Sequence, residues 1–241
     1  METITIELPS SGDRVSVELV RKKMKTCRLK VYPDQRVRLS IPARVSTKWA
    51  ESFLREKSSW IEASLERFRK KADQSAEIEI KNGCRIRLLG EEMTLEVSEG
   101  EQDCVSQEGS RIYIRTRSPE DQERVKAVFE TWWRGQTKAI LNDRVDQWYP
   151  VVEQYGIERP RIAVRKMRTL WGSCSFYRKA VTFNFYLIQA SLPCVDYVVL
   201  HELAHFRHPN HSKAFYDFLG AYMPDWKERK SRLNREVIPW P

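Results

Sequence analysis

The sequence predicts an α+β protein: a β-rich N-terminal lobe with helices over residues 1–117, and a C-terminal domain over 118–241 built around a helix that carries clustered histidines. Three observations lead there. Apolar and polar residues alternate along short runs of the first half, the period becomes helical in two stretches, and the last third reads as strands followed by helices.

Residues 3–8, 15–19 and 36–41 alternate as half-buried strands do, the last ending at Pro42. Beyond Ser46, the residues Trp49, Phe53, Trp60, Ile61, Leu65 and Phe68 recur at helical spacing, so 47–71 forms one or two amphipathic helices. Residues 72–77 are the best linker candidate. Strands return over 78–80, 85–89, 93–97 and 111–114. Ser118-Pro119-Glu120-Asp121 opens the next helix, with a capping serine, a proline at the first helical position and acids in the first turn. That helix runs to about Tyr149-Pro150, and the spacing of Trp132, Trp133 and Tyr149 favours packing over base stacking. Residues 161–164 and 180–186 are strands. The second is either an edge able to pair with an extended peptide or a packed interior strand. Ser191-Leu192-Pro193 starts a helix to about Arg207, another covers 212–222 before Pro224, and a basic helix follows from Asp225. No internal repeat or low-complexity segment is visible.

Composition narrows the class. The chain has 241 residues, 41% of them hydrophobic, enough to bury a core, and no apolar run approaches the roughly 20 residues of a membrane span. The N-terminus lacks the basic and apolar regions of a secretory signal, so a soluble, cytoplasmic protein is expected. Five scattered cysteines without a C-x-x-C pair argue against a disulfide framework or a four-thiolate zinc site. The net charge of +9 attracts polyanions at long range without specifying a fold.

The histidines carry the chemistry. All four, His201, His205, His208 and His211, lie within eleven residues. His201-Glu202-Leu203-Ala204-His205 is an H-E-x-x-H element on an expected helix. Residues i and i+4 differ by about 40° in azimuth and about 6 Å in rise, so both imidazoles can converge on one ion. Glu202 sits one step round the helix, where it can reach a metal-bound water as general base. A catalytic zinc needs a third protein ligand and an open position. Helix geometry alone offers His208, but Pro209 pushes the preceding residue out of the α region. His211, just past that break, is favoured, with an acid on a later helix, Asp217 or Glu228, as the remaining option. The expected reaction is hydrolysis: Glu202 deprotonates the zinc-bound water, the hydroxide attacks a peptide carbonyl, and Glu202 returns the proton to the leaving amine. Tyr216, Tyr222 and His208 are candidates for stabilising the oxyanion.

Several segments together resemble a known family. The run from Arg165 through Trp171-Gly172-Ser173-Cys174-Ser175, then Phe183-Asn184, then Asp196 through His205, then Asn210-His211-Ser212 with Phe215, resembles the YgjP-like metal-dependent hydrolases, relatives of the SprT-like and WLM zinc proteases. Pro224-Asp225-Trp226-Lys227 with Leu233 fits that family's end, and Val20 to Lys25, Ile41-Pro42 and Trp60-Ile61 are similar to its first half. Leu170 stands where the family often has a basic residue. The resemblance implies a zincin-type metallopeptidase domain with Zn2+ on His201, His205 and His211, Glu202 as catalytic base, and a peptide or protein substrate. In Trp171-Gly172-Ser173-Cys174-Ser175 itself, the glycine suggests a turn and the tryptophan a packed anchor that positions the next strand. Cys174 lacks a histidine outside the cluster to activate it as a nucleophile.

Two basic stretches support an alternative reading, a nucleic-acid-associated binding protein with a structural or vestigial zinc site. Residues 159–179 hold seven Lys and Arg and no acid, and 21–38 hold eight and one acid. Such runs are either solvated faces or polyanion patches whose affinity falls steeply with salt.

Overall fold

The computed structural model describes residues 2–32, 34–77, 79–167 and 169–237, which form a mixed α+β protein with seven α-helices among those residues. The chain divides into two compact units, Met1–Glu77 and Ile78–Pro241. The expected boundary at 117/118 falls inside the second unit. The 72–77 stretch, expected to be a linker, instead completes a helix, and of the strand expected at 78–80, Ile78 lies outside the described residues while 79–80 are not in a strand.

The first unit is a four-stranded sheet in the order β1 (Glu2–Glu7), β2 (Arg14–Lys22), β4 (Val37–Pro42), β3 (Arg28–Val31). Alternation sends Ile4, Ile6, Val17, Leu19, Val37, Leu39 and Ile41 to one face, where α1 (Thr47–Glu56) and α2 (Ser58–Glu77) cover them with Ala50, Leu54, Ile61 and Leu65. Ser46 caps α1, its hydroxyl accepting the Trp49 N–H at 3.2 Å. Trp49 and Trp60 are not core residues: they are 43% and 50% exposed, and Trp49 stacks on Phe53 at 5.1 Å. The small Ala50 takes the inward position instead.

The second unit opens with a sheet of the same design, in the order β5 (Arg85–Leu88), β6 (Glu91–Glu99), β8 (Arg111–Thr116), β7 (Cys104–Glu108). Each sheet is a hairpin, a parallel neighbour and an antiparallel edge strand, and the two parallel pairs share one register. In both parallel pairs the fourth residue of a nine-residue strand faces the first of a six-residue strand, Val17 opposite Val37 and Thr94 opposite Arg111. The chain therefore holds an internal structural repeat, contrary to expectation. The copies share strand order and the parallel register but not loop lengths or side chains, which hides the repeat from a residue-by-residue view.

A 27-residue helix, α3 (Gln122–Trp148), follows and buries Val125, Phe129, Trp133, Thr137, Leu141 and Val145 along one stripe. Its cap is Asp121, whose carboxylate accepts the Arg124 N–H at 3.1 Å, and not Ser118. Ser118 to Asp121 closes a turn first, the Asp121 N–H donating to the Ser118 carbonyl, which places Pro119 where a turn favours it. After the short α4 (Pro150–Glu153) comes a three-stranded sheet, β9 (Arg161–Arg165), β10 (Gly172–Ser175) and β11 (Ala180–Asn184), in the order β10-β11-β9. The 180–186 segment is thus no edge strand, because β11 is paired on both sides, and the edges are β10 and β9.

Three helices complete the unit: α5 (Leu192–Ala204), α6 (Lys213–Tyr222) and α7 (Trp226–Glu236). The β5–β6 turn docks on the start of α5. Gly90, at φ 88°, allows that approach, since a Cβ there would lie 3.0 Å from the Ser191 Cα and Cβ. No helix among the described residues is long and apolar enough to cross a membrane.

Candidate metal centre

α5 is buried nearly all the way round, from Cys194 to Ala204, and its last turn delivers His201, Glu202 and His205. The helix ends at Ala204 rather than Arg207. His208 N–H donates to the Ala204 carbonyl at 2.8 Å, and the chain then turns through Pro209 to bring His211 back to the helix. The nitrogens of His201, His205 and His211 all lie within 4.8 Å of one another, with the Nε2 atoms of His201 and His211 3.0 Å apart. Tetrahedral zinc with Zn–N bonds of about 2.0–2.1 Å separates its ligand nitrogens by about 3.3 Å, so small side-chain adjustments suit this trio to one ion.

The surroundings favour that use. Burial, then the neighbouring His205 and His211, pushes the His201 imidazole down to about 3, and burial also lowers His205. Neutral imidazoles are what a metal requires. The His205 Nδ1 lies 3.1 Å from the His208 carbonyl, an arrangement in which Nδ1–H donates and Nε2 is left bare. The Tyr197 hydroxyl sits 3.5 Å from His201 Nδ1. Phe215, fully buried, packs its ring 4.7–4.9 Å from all three imidazoles and forms the floor of the cluster. Tyr216 stacks on His211, and Trp226 stacks on Tyr216 at 5.0 Å.

The other expected candidates fall elsewhere. The His208 ring faces Phe218 at 5.3 Å, and only its carbonyl serves the cluster. Asp217 pairs with Lys213 at 2.6 Å, and Glu228 lies in the first turn of α7, outside the group. The Tyr222 hydroxyl accepts from Gln154 Nε2, which leaves Tyr216 as the aromatic hydroxyl residue stacked on the third histidine.

Glu202 is 5% exposed, and burial pushes its carboxyl up to about 8 against the opposing effect of the Cys174 backbone N–H, which donates to it. A Cβ on Gly172 would fall 2.5–2.8 Å from its Cγ, Oε1 and Cδ. The Trp171-Gly172-Ser173-Cys174-Ser175 segment, expected to act through the next strand, therefore lies directly against Glu202. The available signal was a glycine inside a short polar strand, which often marks a close approach. The Cys174 thiol is pushed up to about 12 by burial and by Glu202, the opposite of an activated nucleophile. Tyr197 was also missed, although it stands four residues before His201 on the same face.

Three cations of the 159–179 stretch are neutralised at home. Arg159 pairs with Asp146, Lys166 with Glu130 and Lys179 with Glu158. Trp133 is fully buried and donates Nε1–H to the Phe185 carbonyl, so it offers no stacking platform.

A family model described as YgjP-like, metallopeptidase domain, matches residues 25–236. No curated protein matches the chain. Among solved structures, the crystal structure of the metallopeptidase zymogen of Pyrococcus abyssi abylysin is similar with a TM-score of 0.37 and 20% identity, over 42% of this chain and 97% of that one. The metallopeptidase zymogen of Methanocaldococcus jannaschii jannalysin is similar with a TM-score of 0.34 and 25% identity, over 39% and 94%.

Proposed function

Because the chain belongs to the YgjP-like metallopeptidase family and is a metal-dependent hydrolase, we propose that it is a zinc peptidase of the zincin type, with His201, His205 and His211 holding the ion and Glu202 acting as general base. The observation that supports this reading best is the convergence of three imidazoles, two of them kept neutral by burial, beside a buried carboxylate. Zinc bound there would act as a Lewis acid towards a carbonyl and would make water acidic near neutral pH.

The chain's own residues do the rest. Glu202 takes the proton of the attacking water on a carboxylate oxygen. The same oxygen then delivers the proton to the leaving amine nitrogen. The Tyr216 hydroxyl is assigned to the developing oxyanion. Metal analysis of purified protein, combined with cleavage of unfolded polypeptide by wild type and Glu202→Gln, tests the reading. The variant is expected to keep its metal and lose hydrolysis; retained hydrolysis would remove Glu202 from the mechanism.

One observation favours a second role for the first unit. Lys22, Lys23, Lys25, Arg28 and Lys30 follow one another along the chain and carry no acidic partner among the described residues. This run would hold a nucleic-acid backbone. A single-stranded oligonucleotide titrated at rising salt is expected to bind with log K falling linearly in log salt, and no binding at about 50 mM salt would exclude it.

A further inference from the structure

The hydrogen bonds around β10 form a chain that begins far from the histidines and ends on the carboxylate of Glu202. Asn184, buried at the end of β11, donates from Nδ2 to the carbonyls of Met167 and Leu170, both at 2.8 Å, while its backbone N–H donates to the Trp171 carbonyl at 2.9 Å. These three bonds pin the segment entering β10. Antiparallel pairing then fixes Gly172 opposite Phe183 and Cys174 opposite Val181. At the other side of the strand, the Cys174 N–H reaches the Glu202 carboxylate and Gly172 lies flush against its side chain.

We infer that β10 is the positioning element of the catalytic base: Gly172 leaves the space that the Glu202 side chain occupies, and the Cys174 amide sets the rotation of its carboxylate. The inference rests on Glu202 being the base. The Gly172 backbone is not in the left-handed region, so conformational freedom does not explain the glycine. The three nearest atoms that a methyl group would meet there all belong to Glu202: Cγ at 2.5 Å, Oε1 at 2.6 Å and Cδ at 2.8 Å. No Cβ tolerates such distances, and the strand, held by Asn184 and β11, has little freedom to retreat. The side chain of Glu202 must give way instead, and a base that swings away loses its reach to the reacting water.

A double-mutant cycle on the full chain separates this from a general packing role. Gly172→Ala is expected to lower the melting temperature in the wild-type background. In Glu202→Ala, which removes all three opposing atoms, the same substitution is expected to be neutral or to raise it, since alanine suits a strand better than glycine. In the otherwise wild-type protein, Gly172→Ala should cut kcat at least tenfold while KM stays within twofold and bound metal is unchanged. An equal loss of melting temperature in both backgrounds overturns the inference, as does full kcat in Gly172→Ala. If Gly172→Ala alone does not fold, the double variant decides. Its recovery supports the contact, and its failure while Glu202→Ala folds refutes it. The melting cycle reports the contact even if Glu202→Gln proves active, so failure of the contact and failure of the base assignment are told apart.

Discussion

Asp196 grips Arg144 with both carboxylate oxygens, Oδ1 to Nε at 2.7 Å and Oδ2 to Nη2 at 3.0 Å, and so fastens α3 to the helix that carries the histidines. Both side chains are close to nine-tenths buried. A bidentate geometry of this kind offsets much of the cost of desolvating the two charges, but it leaves Asp196 dependent on Arg144, whose Nη1 also lies 3.6 Å from the exposed Asp143 carboxylate.

Removing one partner should therefore destabilise more than removing both. Arg144→Leu is expected to lower unfolding free energy by about 3–5 kcal/mol, the usual cost of stranding a buried charge, here that of Asp196. Arg144→Leu combined with Asp196→Leu should cost markedly less. Urea unfolding of the two variants checks this, and equal losses would mean that the pair is not coupled.

The end of α7 offers a test by pH. Burial raises the Glu236 carboxyl, but the Ser191 N–H, which donates at 2.9 Å, the Ser191 hydroxyl and Arg232 outweigh it and hold the group below its usual range. A depressed folded value stabilises above the unfolded value of about 4.3 and loses that contribution as pH falls through the folded one. Glu236→Gln should consequently melt lower than wild type at pH 7, with the gap closing below about pH 4. A gap of unchanged size at pH 3 would show that the charge is not what caps α5.

Local signals made the histidine-bearing helix legible. His201 and His205 share a face because a helix turns every 3.6 residues, and Pro209 forecast the break that frees His211. The contacts that complete the site are not local. Gly172 meets Glu202 across thirty residues of sequence, and β11 becomes an interior strand only when β10, a polar run without alternation, pairs with it. Two further misses have simpler causes. β3 and β7 are short edge strands rich in polar residues, and Trp49 and Trp60 followed the helical period while a smaller neighbour took the core position.

Cys174 sits beside Glu202, yet its contribution runs through the backbone. With the thiol pushed up to about 12, almost none is ionised at neutral pH. Cys174→Ala, which keeps the amide, should retain at least about half of the hydrolytic activity, whereas the backbone-restricting Cys174→Pro, which removes the N–H, should abolish it. Measuring hydrolysis and bound metal for both variants distinguishes the two contributions. Loss of activity in the alanine variant with metal and melting temperature intact would assign the thiol a chemical role.

The two outer histidines make the sharpest contrast. His211 reaches the cluster with its ring, held between Phe215 and Tyr216, while His208 turns its ring to Phe218 and lends only a carbonyl, which any residue supplies. His208→Ala should therefore leave zinc affinity within about tenfold of wild type, the lower end of what disturbing a ligand's hydrogen-bond partner costs. His211→Ala should weaken it by more than about a hundredfold, beyond the upper end of that range. Competition with a chromophoric chelator reads both affinities on the same scale. Chelation of wild type should also lower its melting temperature, because zinc bound only to the folded chain adds about 4 kcal/mol at a thousand times its Kd. If His208→Ala proved the more damaging substitution, the third position on the metal would have to be reassigned to His208, with α5 extended by a further turn in the loaded protein.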